Sequence, residues 1–214
     1  MKMLRSVLVL APVLVGLVFF RVVRPWYLRW GATDEDLRRA MPLDDHVPRP
    51  RLNSTMAITV TAPPEHIWPW LAQIGEAPRA GYYSYEWIER MLGLDVENSR
   101  QVMPQYQHLE VGDALDQAGS MTVLAVEPNH HLVLGPPTAD PVGASWAFAL
   151  SPVDGHSTRL VTRVHGSWSW LGMLRDNPPY TWPFYLLLEP GAFVMERKML
   201  LEIKSRAEGM SSAG

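Results

Sequence analysis

An α+β architecture is expected for this chain of 214 residues, with a curved antiparallel sheet closed by one long C-terminal helix. Three features lead there. Met56, Ile58 and Val60 alternate with Thr55, Ala57, Thr59 and Thr61, the period-two pattern of a strand with one buried face. Five further short stretches that read as strands follow, over 112–117, 121–127, 131–134, 145–150 and 157–165. Turn signals such as Glu127-Pro128-Asn129 and Asp154-Gly155 separate them. Near the end, Ala192, Met195, Met199, Leu200 and Ile203 recur at helical spacing, giving a helix over 183–208 with one apolar face. Strands and helices segregated in this way place the last helix across the sheet, which leaves room for a cavity between them.

The elements follow in order. Lys2 and Arg5 precede an apolar run over 6–20, broken only by Pro12 and Gly16. Continued through Val23 as a helix, the run is about 27 Å long, just enough for a bilayer core. Arg24-Pro25-Trp26-Tyr27-Leu28-Arg29-Trp30 then interleaves aromatics with arginines, as a headgroup-level belt requires. No small-residue cleavage site follows the apolar core. Residues 1–30 therefore read as an uncleaved N-terminal transmembrane helix in a single-pass arrangement. Positive charge is nearly balanced across it, and the tighter C-terminal cluster favours a cytoplasmic body at the cell membrane.

Thr33 followed by Asp34, Glu35 and Asp36 is an N-cap with acids in the first turn, so a short helix is expected over 34–40. Pro42, Pro48 and Pro50 make 41–52 an extended linker. One domain over 53–208 and a disordered tail over 209–214 complete the chain. Within the domain, Pro63-Pro64 opens a helix over 65–74 that Gly75 closes and Pro69 bends. A second helix is expected over 85–92, and Pro190-Gly191 interrupts the last one.

Composition narrows the function. The chain is 47% hydrophobic and 19% charged, as a globular protein is, and it has no cysteine. Disulfide scaffolds, cysteine metal sites and thiol nucleophiles are thereby excluded. The net charge of −3 conceals five basic and no acidic residues in the first 30, so 31–214 carry 14 basic and 22 acidic groups. An acidic body does not suit nucleic acid. No phosphate loop, G-x-S-x-G or H-E-x-x-H is present. His130 and His131 point to opposite faces if extended, a poor metal pair.

The tract from Ile58-Thr59-Val60-Thr61-Ala62-Pro63-Pro64 to Glu65-His66-Ile67-Trp68 resembles the opening strand and helix of the START-like, or SRPBCC, superfamily, the polyketide cyclase/dehydrase and lipid-transport group. Arg24-Pro25-Trp26, Trp30-Gly31-Ala32-Thr33, Tyr83-Ser84-Tyr85-Glu86-Trp87 and Val194-Met195-Glu196-Arg197-Lys198-Met199 resemble a membrane-anchored bacterial subgroup of uncharacterised function. The resemblance covers nearly all of the chain after residue 24. It implies a helix-grip fold whose cavity takes hydrophobic ligands and, in a few members, carries out cyclisation or dehydration. The superfamily shares no catalytic residue set, so none is carried over.

Among individual residues, Glu196 is the most informative, because it falls within the apolar face of the last helix. An acid there must be paired, protonated or open to a cavity. Arg163 is a candidate partner. It shares a strand face with Val161 and His165, while Leu160, Thr162 and Val164 share the other. Such a pair reads first as structural and second as a ligand anchor or tuned acid/base pair. Tyr82, Tyr83, Tyr85, Trp87, Trp146 and Phe148 are core aromatics that would also wall a cavity, with Met199 beside Glu196 on the helix. Glu86 and His108 rank lower. The aromatic-rich stretch 166–185 reads as a packed loop or as a lid at the cavity mouth.

Three functions compete. The first is a membrane-tethered binding protein for a lipid- or polyketide-like small molecule, with no cofactor. The second is a cyclase- or dehydratase-type enzyme using Glu196, His165 or a tyrosine. The third is a membrane-bound interaction domain whose cavity is filled. No nucleic-acid partner is expected.

Overall fold

The computed structural model describes residues 16–47, 49–137, 143–167, 175–176, 178, 180 and 182–212, the last without the side chains of 182–186 and 212. Residues 16–28 are continuously helical, with π geometry over Phe19–Val23 before α1 (Arg24–Leu28). Next come α2 (Asp34–Arg38), β1 (Leu52–Val60), α3 (Pro64–Ala72) and α4 (Glu86–Met91). Then follow β2 (Thr122–Glu127), β3 (His131–Gly135), β4 (Ala144–Pro152), β5 (Thr158–Gly166) and α5 (Trp182–Ser212).

The five strands form one antiparallel sheet in the order β1-β5-β4-β3-β2. Each neighbour in sequence from β2 to β5 pairs through a short connection, and β1 closes the edge beside β5. Register aligns Met56, Thr162, Phe148, Leu132 and Val126 in one row across the inner face. α3 and α5 cover that face with Ile67, Trp70, Leu71, Met199, Leu200 and Ile203, all buried. A register shift between Val123 and Ala125 bends β2.

The outer face is covered as well, by the segment preceding β1. Met41 packs there on Ala57, Val133, Ala147 and Val161. The stretch 41–52 is thus not an extended linker. It turns, with Leu43 and Arg49 at positive φ, and Val47 is buried. Two arginines of β5 hold the segment down. Arg159 donates to the Asp36 carboxylate at 2.6 Å and to the Gly31 carbonyl at 2.6 Å. Arg163 donates to the Asp44 carboxylate at 2.6 Å and to the carbonyls of Arg39, Asp36 and Leu37. Burial alone would raise the Asp36 carboxyl, yet Arg159 and Thr33 together hold it below its ordinary value. At Gly31, φ is +69° and a Cβ would come within 2.1 Å of the Ala57 carbonyl oxygen, so only glycine lets the segment lie this close to β1.

Several boundaries differ from the expected ones. The stretch 112–117 makes only an isolated bridge, Ala114 to Thr122, because Gly112 at φ +100° and the Asp116–Gly119 turn prevent a ladder. The last helix runs through Pro190-Gly191 without a break and continues to Ser212, past the start of the expected tail. Contacts on both sides of the proline hold it: Glu189 binds Arg24 at 2.8 Å and Tyr27, and Phe193 stacks against Trp26 and Tyr27. Among the described residues no helix is long and apolar enough to cross a membrane. Most of the expected transmembrane helix falls in residues 1–15, outside the described residues.

Candidate functional site

Between the inner sheet face, α5 and the connection from α3 to β2 lies a cavity of about 780 Å³. Ligand pockets usually measure roughly 300–1,000 Å³, so the space suits a small molecule. The sheet contributes Leu134, Trp146 and Val164 to its wall. α5 contributes Met195, Glu196 and Met199, and the connection contributes Tyr82, Ser84, Glu89, Asp116 and Met121. Along the inner face of β4, Phe148 is buried in the core and Trp146 reaches the cavity wall. Those two rings tilt against each other with centroids 4.8 Å apart.

Glu196 does not pair with Arg163. Alternation on β5 puts Leu160, Thr162 and Val164 inside and Val161, Arg163 and His165 outside, so the sheet separates the two groups. The Glu196 carboxylate instead accepts from the Thr162 hydroxyl at 2.8 Å, and Thr162 accepts from the Trp146 indole N–H at 2.9 Å. Burial pushes Glu196 up to about 7, against the opposing pull of the Thr162 and Trp146 hydrogen bonds. Arg163 is structural, with all its donors on the N-terminal segment and Thr55. His165 is buried on the same outer face, and burial holds it below its ordinary value, with Asp44 opposing and Arg163 adding to the effect. Neither belongs to the cavity.

The aromatic candidates divide. Tyr82 and Trp146 line the cavity with ring centroids 6.3 Å apart. Burial, then the nearby carboxylates of Glu76, Asp116 and Glu89, push the Tyr82 phenol far above its ordinary value. Tyr83 and Phe148 are wholly buried core residues. Tyr83 accepts from the Gln73 amide at 2.8 Å and meets Trp70 edge-on at 5.9 Å. Tyr85 precedes α4 and Trp87 is 66% exposed, both away from the cavity wall. Met199 is both buried and part of the wall. Glu86 is occupied at the α4 surface, accepting from the Asn98 backbone N–H and Arg90, and His108 is exposed. In the stretch 166–185, Trp168 and Trp170, with the side chains of Trp182, Phe184 and Tyr185, lie outside the described residues.

Sequence reasoning missed Glu89. It is 1% exposed, lines the cavity, and neither carboxylate oxygen has a hydrogen-bond partner. Burial, with the Glu86 charge adding and Arg90 opposing, pushes it up to about 7. The sequence of α4 carries no signal for it. Trp87 and Met91, four apart, should point inward, yet both are exposed while the acid between them is buried. Asp116 is a second omission. It accepts from Ser120 and the Met121 N–H through one oxygen, and its other oxygen is buried without a partner. Among the described residues no three His, Cys, Asp or Glu side chains converge to hold a metal ion.

No protein-family model matches the chain, and no curated protein matches it. It is similar to solved structures at low identity. A protein from Mesorhizobium loti is 19% identical over 73% of this chain and 97% of its own, with a TM-score of 0.36. A protein from Nitrosomonas europaea is 14% identical over 79% of this chain and 99% of its own, with a TM-score of 0.43. A polyketide-cyclase-like protein from Corynebacterium glutamicum is 13% identical over 73% of this chain and 91% of its own, with a TM-score of 0.42. The chain's own architecture, one curved antiparallel sheet of five strands gripping a long C-terminal helix around a cavity, is a helix-grip fold.

Proposed function

We propose that this chain is a binding protein whose helix-grip cavity holds a hydrophobic small molecule, lipid- or polyketide-like, and whose N-terminal segment attaches it to a bilayer. The observation that carries the first part is the cavity itself, about 780 Å³ of open space walled by Trp146, Met195, Met199 and Leu134. Methionines adapt to irregular apolar shapes, which suits such a ligand. An interaction domain with a side-chain-filled interior does not fit a space of that size. Native mass spectrometry of the full chain, purified from a lipid-rich host, tests the reading. A discrete added mass that survives purification is expected. The bare mass, unchanged after incubation with a panel of lipids and polyketides, would overturn it.

The membrane attachment is supported by the helix over 16–28, where Leu17, Val18, Phe20, Val22 and Trp26 are all exposed. The clasp of Arg24 and Tyr27 on Glu189 fixes that helix to α5, so the exposed apolar side chains stand at one end of the body. The full chain is expected in the membrane fraction and resistant to carbonate extraction. Recovery in the soluble fraction would overturn the tether.

One observation favours a second reading. Glu89 and Glu196 titrate near 7 in a single cavity, where a carboxyl can both donate and accept a proton. A cyclase- or dehydratase-type enzyme would use them so.

A further inference from the structure

Resting on the cavity as a ligand site, we infer that its ligand is a hydrophobic cation, an apolar body bearing a protonated amine or quaternary ammonium group. The cavity's charged lining is one-sided. Glu76, Glu89, Asp95, Asp116 and Glu196 line it, and no described lining residue is Lys, Arg or His. A group of acids alone would carry nothing, but three of their oxygens are buried without any partner: both of Glu89 and one of Asp116. Glu89 is 1% exposed, and a buried carboxylate left without a donor is costly unless something else supplies the donors and the charge.

The chain's own candidates are committed elsewhere. Arg79 donates to the carbonyls of Ile74 and Ala72 at 2.7 Å, and Arg90 to Glu86 and the Val96 carbonyl. Two of the cavity hydroxyls are spent as well: Ser84 donates to the Met195 carbonyl and Ser120 to Asp116. The excess is of acceptors. A ligand carboxylate or phosphate would face five acids with no cation among the described lining residues to receive it. An ammonium group supplies both the missing donors and the missing charge.

The aromatic geometry agrees. Tyr82 and Trp146 line the cavity 6.3 Å apart, and the Tyr82 phenol lies within the field of Glu76, Asp116 and Glu89. Aromatic rings beside carboxylates are the pairing that receives alkylammonium groups, through charge on one side and ring faces on the other. The remaining wall of Leu134, Met121, Met195 and Met199 takes the apolar body. A bare metal ion does not fit, because no three potential ligand side chains converge among the described residues.

The test is isothermal titration of the full chain in non-ionic detergent with three ligands of equal chain length, decylamine, decanol and decanoate, corrected by titration into detergent alone. Decylamine is expected to bind about tenfold tighter than decanol, with decanoate weaker still. Glu89→Gln and Glu196→Gln should each reduce that preference, and the double variant should reduce it further while decanol binding is retained. Retained decanol binding also shows that the variants are folded. Decanol or decanoate binding as tightly as decylamine would overturn the cationic assignment and leave the hydrophobic site standing. Binding of none of the three would overturn the hydrophobic site as well.

Discussion

Arg163→Ala is expected to destabilise the fold by about 3–5 kcal/mol, the range for breaking a buried ion pair from one side. Arg163 is 5% exposed, and its guanidinium serves the Asp44 carboxylate, the carbonyls of Arg39, Asp36 and Leu37, and the Thr55 hydroxyl. Alanine leaves these acceptors beneath the N-terminal segment with nothing to meet them, and their desolvation is then uncompensated. Lysine keeps the charge but not the planar fork, so Arg163→Lys should recover only part of the loss. Asp44→Asn should cost less than either, because the three carbonyls keep their donor. Urea unfolding midpoints at constant slope measure the order. Hydrogen exchange should also show residues 31–47 losing protection before the sheet does. A change of under about 1 kcal/mol for Arg163→Ala would show that Met41 and its apolar neighbours, rather than the arginine, hold the segment on the sheet.

The same residue shows where sequence reading succeeds and where it stops. Alternation correctly divides β5 into Leu160, Thr162 and Val164 against Val161, Arg163 and His165. Period two is symmetric, however, and cannot say which set is inside. The expectation of Arg163 beside Glu196 placed the wrong set in the core. What decides the matter is the covering of the outer face by residues 29–47, a contact remote in sequence with no local signature. Met56, Ile58 and Val60, the opening of α3 at Pro64 and the apolar face of α5 were legible because each is set by neighbours a few residues away. Pro190 was misread for the complementary reason. Locally it breaks a helix, but Glu189 and Phe193 are anchored on either side of it by Arg24, Tyr27 and Trp26. Of the site, Tyr82, Trp146, Glu196 and Met199 could be singled out as aromatics and as an acid in an apolar face. Glu89 could not be valued, since an acid between Glu86 and Arg90 reads as a solvated surface unless the exposure of Trp87 and Met91 is known.

Stability should fall as pH rises from about 4.5 through 7, and Glu89 should account for much of the fall. Its carboxyl is pushed up to about 7 in the folded chain. Below the unfolded value both states are protonated, and the group contributes no pH dependence. Above it the unfolded chain ionises first, the folded state binds more protons, and stability declines until the folded group has also ionised. The difference amounts to a penalty on the order of 3 kcal/mol for Glu89 at pH 8. Glu196, pushed up to about 7 by burial as well, adds a penalty of the same sign. The groups around Glu89 set the size of the effect: Glu86 and Arg90 on its own helix, and Tyr82, whose phenol also feels Glu76 and Asp116.

Two other groups titrate with the opposite sign. Asp36, held low by Arg159 and Thr33, loses its contribution only in more acidic solution. His165, held low by burial, gives stability that rises with pH up to its ordinary value, inside the same window. The clean quantity is therefore the difference between the wild type and Glu89→Gln, which removes the ionisable group and leaves His165 and Asp36 in place. At pH 5 the two chains should unfold at similar urea concentrations, and at pH 8 the variant should be the more stable. Equal slopes against pH in both would show that Glu89 ionises in the folded chain as freely as in water. Decylamine seated among these carboxylates would hold Glu89 ionised, so the wild type saturated with it should lose most of the decline with pH, while the pH dependence of Glu89→Gln should change little.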